Sequence, residues 1–262
     1  MPNAAIMGTL YMFMPMISVF IVQKLVYKEP IKIPLGISFK LNFFFLMAWL
    51  IPPFLAFATL GVSLLFPGIE FSPEMAGIMA KLKMILPPEE WEKAMAQTKS
   101  LPLHPFWLAL IQGMVGAITI NAVISFGEEI GWRGFLQKEF ESLSFWKSSF
   151  LIGFIWGLWH APVILMGHNY PEHPQIGVLM MIIWCILLGP LFSYIRIKAR
   201  SVIATCILHG SLNGTAGLAI MVVKGGSDLT VGLTGVAGFF VLVFVNIVLF
   251  AYDQLANSHS YD

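Results

Sequence analysis

Charge is what this sequence has least of: 11% of its 262 residues are Asp, Glu, Lys or Arg, where an ordinary soluble domain carries about 25%. A soluble globular fold is thereby excluded. No sign of charge dominates either, since fifteen basic and fourteen acidic residues leave a formal charge of +1. Neither a basic field for nucleic acid nor an acidic tail can be built from that balance, so the partners are to be sought in the lipid bilayer. Cysteine is reduced to Cys185 and Cys206, both inside apolar runs, and two such thiols supply neither a disulfide framework nor a four-cysteine zinc site. Internal repeats of the transporter kind and low-complexity segments are also missing.

What fills the chain is apolar sequence, 58% of it hydrophobic. Runs long enough to cross a bilayer extend over about Ala4 to Val22, Leu41 to Phe66, Phe106 to Phe126, Phe150 to Met166, Val178 to Ile195, Val202 to Val223 and Val231 to Phe250. The expected fold is an all-α, polytopic transmembrane helical bundle of about seven spans, within a range of six to eight. The first run has its lysines after it, at Lys24 and Lys28, the reverse of a cleaved signal peptide. The second is interrupted by Pro52 and Pro53, where a kink is expected. Between Pro67 and Pro105, charged residues from Lys81 to Lys99 alternate with Met75, Ile78, Met79, Leu82, Met84, Ile85, Trp91 and Met95, the pattern of an amphipathic helix or pair lying on the membrane surface and broken at Pro87-Pro88. The chain divides into an N-terminal portion (1–105), a helical core (106–223) and a last span with its tail (224–262), all within one integral membrane domain.

Basic residues cluster in alternate connectors: Lys24, Lys28, Lys32 and Lys40 after the first span, Arg133, Lys138 and Lys147 after the third, Arg196, Lys198 and Arg200 after the fifth. These share one side in a seven-span topology, and the excess of Lys and Arg marks that side as cytosolic. His168 and His173 fall on the other.

Ionisable residues inside spans are costly and therefore informative. Three clusters carry them. In Gly127-Glu128-Glu129-Ile130-Gly131-Trp132-Arg133-Gly134, Glu129 and Arg133 are one helical turn apart and can neutralise each other, which leaves Glu128 without an in-helix partner and marks it as the candidate for chemistry. The plainer reading makes all three interfacial charges at a helix end. In Trp156-Gly157-Leu158-Trp159-His160, the indole of Trp156 shares a face with the imidazole of His160. In His209-Gly210-Ser211-Leu212-Asn213, an imidazole and a carboxamide project together, roughly 12 Å along the helix from Ser201. Taken singly, either pair is also what polar glue between helices looks like.

Glu128-Glu129-x-x-x-Arg133, an aromatic four residues before His160, and His209-x-x-x-Asn213, in that order on separate spans, resemble the three motifs of the CPBP intramembrane protease family, which includes the type II CAAX prenyl proteases and bacterial relatives, some linked to bacteriocin self-immunity. The resemblance covers about Phe106 to Val223. It departs from the family pattern at Trp156, where Phe is usual, and in the seven spans counted where the best-known relatives have eight.

The resemblance implies an intramembrane endopeptidase acting on a membrane-held, CAAX-type or otherwise anchored peptide. Glu128 and His160 would activate a water, His209 and Asn213 would stabilise the tetrahedral oxyanion, and Glu129, Arg133 and Trp156 would support them. No cofactor is expected. The alternative is zinc held by His160, His209 and Glu128, though no His-Glu-x-x-His is present and a carboxamide is a poor zinc ligand. Ser125, Ser211 and Cys206 are the other possible nucleophiles, with no base beside them in sequence. Two further classes compete: a non-catalytic membrane scaffold or immunity protein, and a proton- or ion-coupled transporter using the same Glu and His residues as a relay. Hydrolysis needs water, so the three clusters should enclose a polar cavity, expected to open to the cytosol.

Overall fold

The computed structural model describes residues 8–258. Residues 4–7 of the first apolar run, the terminal residues 259–262 and the side chains of Lys81, Met84, Ile85 and residues 256–258 lie outside the described set. The fold is all-α apart from one two-stranded ladder.

Among the described residues, five helices are long and apolar enough to cross a membrane: α1 (Gly8–Val26), α2 (Phe43–Ser63), α3 (Pro174–Ala199), α4 (Val202–Met221) and α5 (Val236–Leu255). Pro105–Ala117 and Ile120–Glu139, two helices meeting at a 55° bend, pass the same test only when joined, and make a sixth crossing if the pair is one span. The remaining apolar run, read from sequence as a span, is a fifteen-residue helix, Phe145–Trp159, followed after His160 by the short Ala161–Leu165. At ~1.5 Å per residue the longer piece reaches only about 22 Å, short of the ~30 Å hydrocarbon core.

The helix Phe43–Ser63 continues through Pro52 and Pro53. Proline cannot donate to the carbonyl four residues back, which frees the oxygens of Ala48 and Trp49. The Ser211 hydroxyl donates to the Trp49 oxygen at 2.7 Å, and the Trp49 indole donates to the Met114 oxygen at 2.8 Å, just before the 55° bend. A proline in one span and a bend in another are thus satisfied by the same pair of side chains, as buried backbone in lipid requires.

Small residues set the helix spacing. A Cβ on Gly113 would stand 2.2 Å from the Gly214 oxygen, and one on Gly153 would stand 2.5 Å from the Cys185 oxygen. The first contact brings Pro105–Ala117 against α4, a Cβ on Gly210 of α4 would likewise stand 2.9 Å from the Ala122 nitrogen in the helix that carries Glu128, and the second contact brings the helix ending at His160 against α3, so that three separately coded motifs converge. Cys185 and Cys206 are buried free thiols.

The two ends of the bundle differ. At one, Lys138 pairs with Glu29 at 2.9 Å, an ammonium that holds the Glu29 carboxyl below its usual range, and the Val202 amide donates to the Gly36 oxygen. At the other, Glu70–Phe71 pairs antiparallel with Val223–Lys224, beside the amphipathic helices Ala76–Ile85 and Pro88–Ser100. The predicted break at Pro87-Pro88 falls between those two helices. In the second of them Trp91, Ala94, Met95 and Thr98 form the half-buried stripe, the spacing of one helix face.

Candidate active site

Glu128, His160, His209 and Asn213 all line one cavity of about 390 Å³. They come from three different helical segments, and no two motifs are adjacent in sequence. The carboxylate and both imidazoles are buried, whereas Asn213 is exposed to the cavity.

Glu128 is not without an in-helix partner, contrary to the expectation from spacing. Trp132, one turn on, donates its indole N–H to Glu128 Oε2 at 3.2 Å, and Trp156 donates to the same oxygen at 2.8 Å from the neighbouring helix. The sequence argument weighed only charged partners at that spacing, and the signal for Trp132 was the same four-residue interval that revealed Glu129 and Arg133. A helical stretch of π type over Ile130–Leu136 carries both Trp132 and Arg133; such widened turns recur at functional sites. With Oε2 held twice, Oε1 is the oxygen left for a ligand.

Glu129 and Arg133 pair at 3.1 Å with both side chains wholly buried. Arg133 was counted among the basic connector residues, but its burial removes it from the surface. Its guanidinium lies between the rings of Trp156 and Phe192, 4.4 and 4.3 Å from their centroids, an arrangement that compensates part of its lost hydration. The same Glu129 oxygen that meets Arg133 also accepts from His209 Nδ1 at 2.9 Å. Glu129 therefore does more than neutralise Arg133: it orients a ring that faces the cavity.

The two imidazoles are held differently. His160 Nδ1 meets the Trp156 carbonyl at 2.8 Å, and a carbonyl only accepts, so Nδ1 carries the proton and Nε2 of the neutral ring presents a lone pair. His209 Nδ1 meets a carboxylate, which can serve as counter-ion to the doubly protonated ring. Rings crowd around both. Trp159 stands edge-on to His160 at 4.9 Å and stacks on Tyr11 at 4.3 Å.

Ser125, Cys206 and Ser211 are absent from the cavity wall, and the Ser211 hydroxyl is engaged with Trp49. Glu128, His160 and His209 do not bring three ligand atoms within 4.8 Å of one another, which among the described residues only Glu172, His173 and Asp228 do. The cavity residues in this arrangement do not fit a three-ligand zinc site.

The cavity runs from Glu128 to His168, Asn169, Gly217 and Thr234, residues of the loops on the same end as the ladder and the amphipathic helices. That end is opposite the basic connectors.

Residues 103–215 match the family described as type II CAAX prenyl endopeptidase Rce1-like. This segment holds all three motifs. The chain is also similar to the CAAX prenyl protease 2 of Methanococcus maripaludis, 32% identical over 96 residues that make up 33% of this chain and 34% of that protein. The chain thus spans about a third of the length of the curated relative it matches. No solved structure matches.

Proposed function

We propose that this chain is an intramembrane endopeptidase that hydrolyses a peptide bond in a membrane-anchored, CAAX-type substrate. The observation that carries the reading is the unequal tethering of two imidazoles around one buried carboxylate. Glu128, fixed through Oε2 by two indoles, offers Oε1 to a water. His160, locked with its proton on Nδ1, offers Nε2 as a second acceptor, so one water can be held and deprotonated between them. The hydroxide attacks the scissile carbonyl, and the resulting oxyanion is met by the protonated His209 ring and by the Asn213 amide, donors of the kind worth roughly 10²–10³ in rate each when preorganised. The proton taken from water passes to the departing amine, and no covalent enzyme intermediate forms.

The family name supports the CAAX-type substrate, a C-terminal motif whose cysteine is prenylated. The prenyl chain would remain in the bilayer while the peptide enters between helices. No metal has a role in this reading, so activity should survive a strong chelator.

The deciding experiment compares purified wild type with Glu128→Gln on a prenylated CAAX peptide. The amide keeps an acceptor for Trp132 and Trp156, so the thermal midpoint should hold while cleavage falls by at least about a thousandfold, the loss of a positioned base together with the water it orients. Full cleavage by Glu128→Gln would overturn the mechanism.

A further inference from the structure

Beside the catalytic cavity lies a second chamber of about 490 Å³, within the ordinary range of ligand pockets. Asn169 and Thr234 line both spaces, so the two adjoin. Apart from Asn169 and Pro171, the chamber is built outside the family-matched segment, from the helix Ala76–Ile85 and the stretch Ile220 to Thr234. Its walls combine the small residues Ala76, Gly77, Ala80, Gly225 and Gly226 with branched apolar side chains such as Ile78 and Val231. Gly77 has a specific reason: a Cβ there would meet the Val223 oxygen at 2.3 Å. The helix therefore rests directly on the strand that carries Lys224.

Lys224 and Asp228 are the two charged residues in the lining. The Asp228 carboxylate is already committed, with Oδ1 on His173 Nδ1 at 2.6 Å and Oδ2 on the backbone amides of Glu172 and His173 at 2.7 and 3.3 Å. It ties one loop to the start of α3. Lys224 has no such engagement among the described residues. Glu70 stands opposite it across the ladder, exposed and without an ion pair to it. One free cation thus sits in the chamber next to the hydrolytic site.

We propose that this chamber is the subsite for the C-terminal end of the substrate peptide, beyond the scissile bond, with Lys224 pairing the terminal carboxylate. The inference rests on the peptidase reading above, because a CAAX motif ends its chain and every such substrate presents a carboxylate a few residues past the bond that is cut. In hydrolysis the hydroxide adds to the acyl carbon and the amine of the C-terminal fragment takes the proton. Lys224 forms no bond to either product. It acts on binding and on register, placing the bond over Glu128 by holding the end of the chain.

The test uses the full chain in detergent with two prenylated peptides that differ only in ending as a free acid or a carboxamide. Wild type should show a KM about tenfold lower for the acid at similar kcat, and Lys224→Gln should raise the KM for the acid to that for the amide. The released C-terminal peptide, as acid but not as amide, should raise the thermal midpoint of wild type and not of Lys224→Gln, a readout independent of turnover. Equal KM for acid and amide in wild type, or an acid preference that survives Lys224→Gln, overturns the subsite and leaves the peptidase reading standing. Failure of wild type to cleave either peptide overturns both.

Discussion

Glu129 is where structure and sequence differ most in consequence. A structural bridge to Arg133 predicts that losing Glu129 harms stability alone, whereas the shared oxygen between Arg133 and His209 predicts two separable effects. In Glu129→Gln the Arg133 guanidinium, wholly buried, is left without its counter-ion, a defect of about 3–5 kcal/mol. At about 2–4 °C per kcal/mol for a chain of this size, the thermal midpoint should fall by roughly 10 °C. His209 also loses the carboxylate that supports its protonated form, and kcat should fall by ~10²–10³, the worth of one oxyanion donor. The double variant Glu129→Gln/Arg133→Met separates them. It removes both charges and leaves an apolar chain between Trp156 and Phe192, so the midpoint should return to within a few degrees of wild type while kcat stays low. Thermal unfolding in detergent followed by tryptophan fluorescence, beside turnover of a prenylated fluorogenic peptide, reads both quantities. If the double variant recovers turnover together with stability, Glu129 has no part in the chemistry and the argument from its His209 contact is refuted.

Trp156→Phe keeps an aromatic face for Arg133 but deletes the 2.8 Å hydrogen bond to Glu128; turnover should drop about tenfold, by the ~1.5 kcal/mol of a hydrogen bond to a charged group, with little change in KM, and an unaltered kcat would remove the indole from the positioning of Glu128. Asn213→Ala should cost less than Asn213→Asp, which sets a negative charge where the oxyanion forms, so an Asp variant as active as wild type would contradict the donor role. Activity should persist after exhaustive chelation, and its loss with recovery on added zinc would replace the Glu-activated water by Lewis-acid chemistry. For sidedness, with Cys185 and Cys206 replaced, single cysteines at Lys147 and Lys198 should label from the cytosol, as the charge bias requires, and one at Lys83 from the opposite compartment; labelling of Lys83 from the cytosol would instead make the cavity cytosolic and defeat the charge rule.

Composition and run length determined by themselves that this is a helical bundle in a membrane, because 11% charge and repeated apolar runs admit no other solvent. The three motifs were legible for a related reason: a Glu, a His or an Asn inside an apolar run is costly wherever the helix ends up, so its presence signals a role without any knowledge of neighbours. Helical spacing also found the Glu129–Arg133 pair, which is local. What spacing could not find were contacts made across the bundle. Trp156 on Glu128, His209 on Glu129 and Ser211 on Trp49 join residues 28, 80 and 162 positions apart, and no periodicity encodes which helix face meets which. The shortness of Phe145–Trp159 and the bend before Ile120 escaped because hydropathy records apolar length and not backbone course. Which loops close over the three motifs belonged wholly to the tertiary structure, since His168, Asn169, Gly217 and Thr234 reach the cavity from separate parts of the chain and no local spacing brings them together.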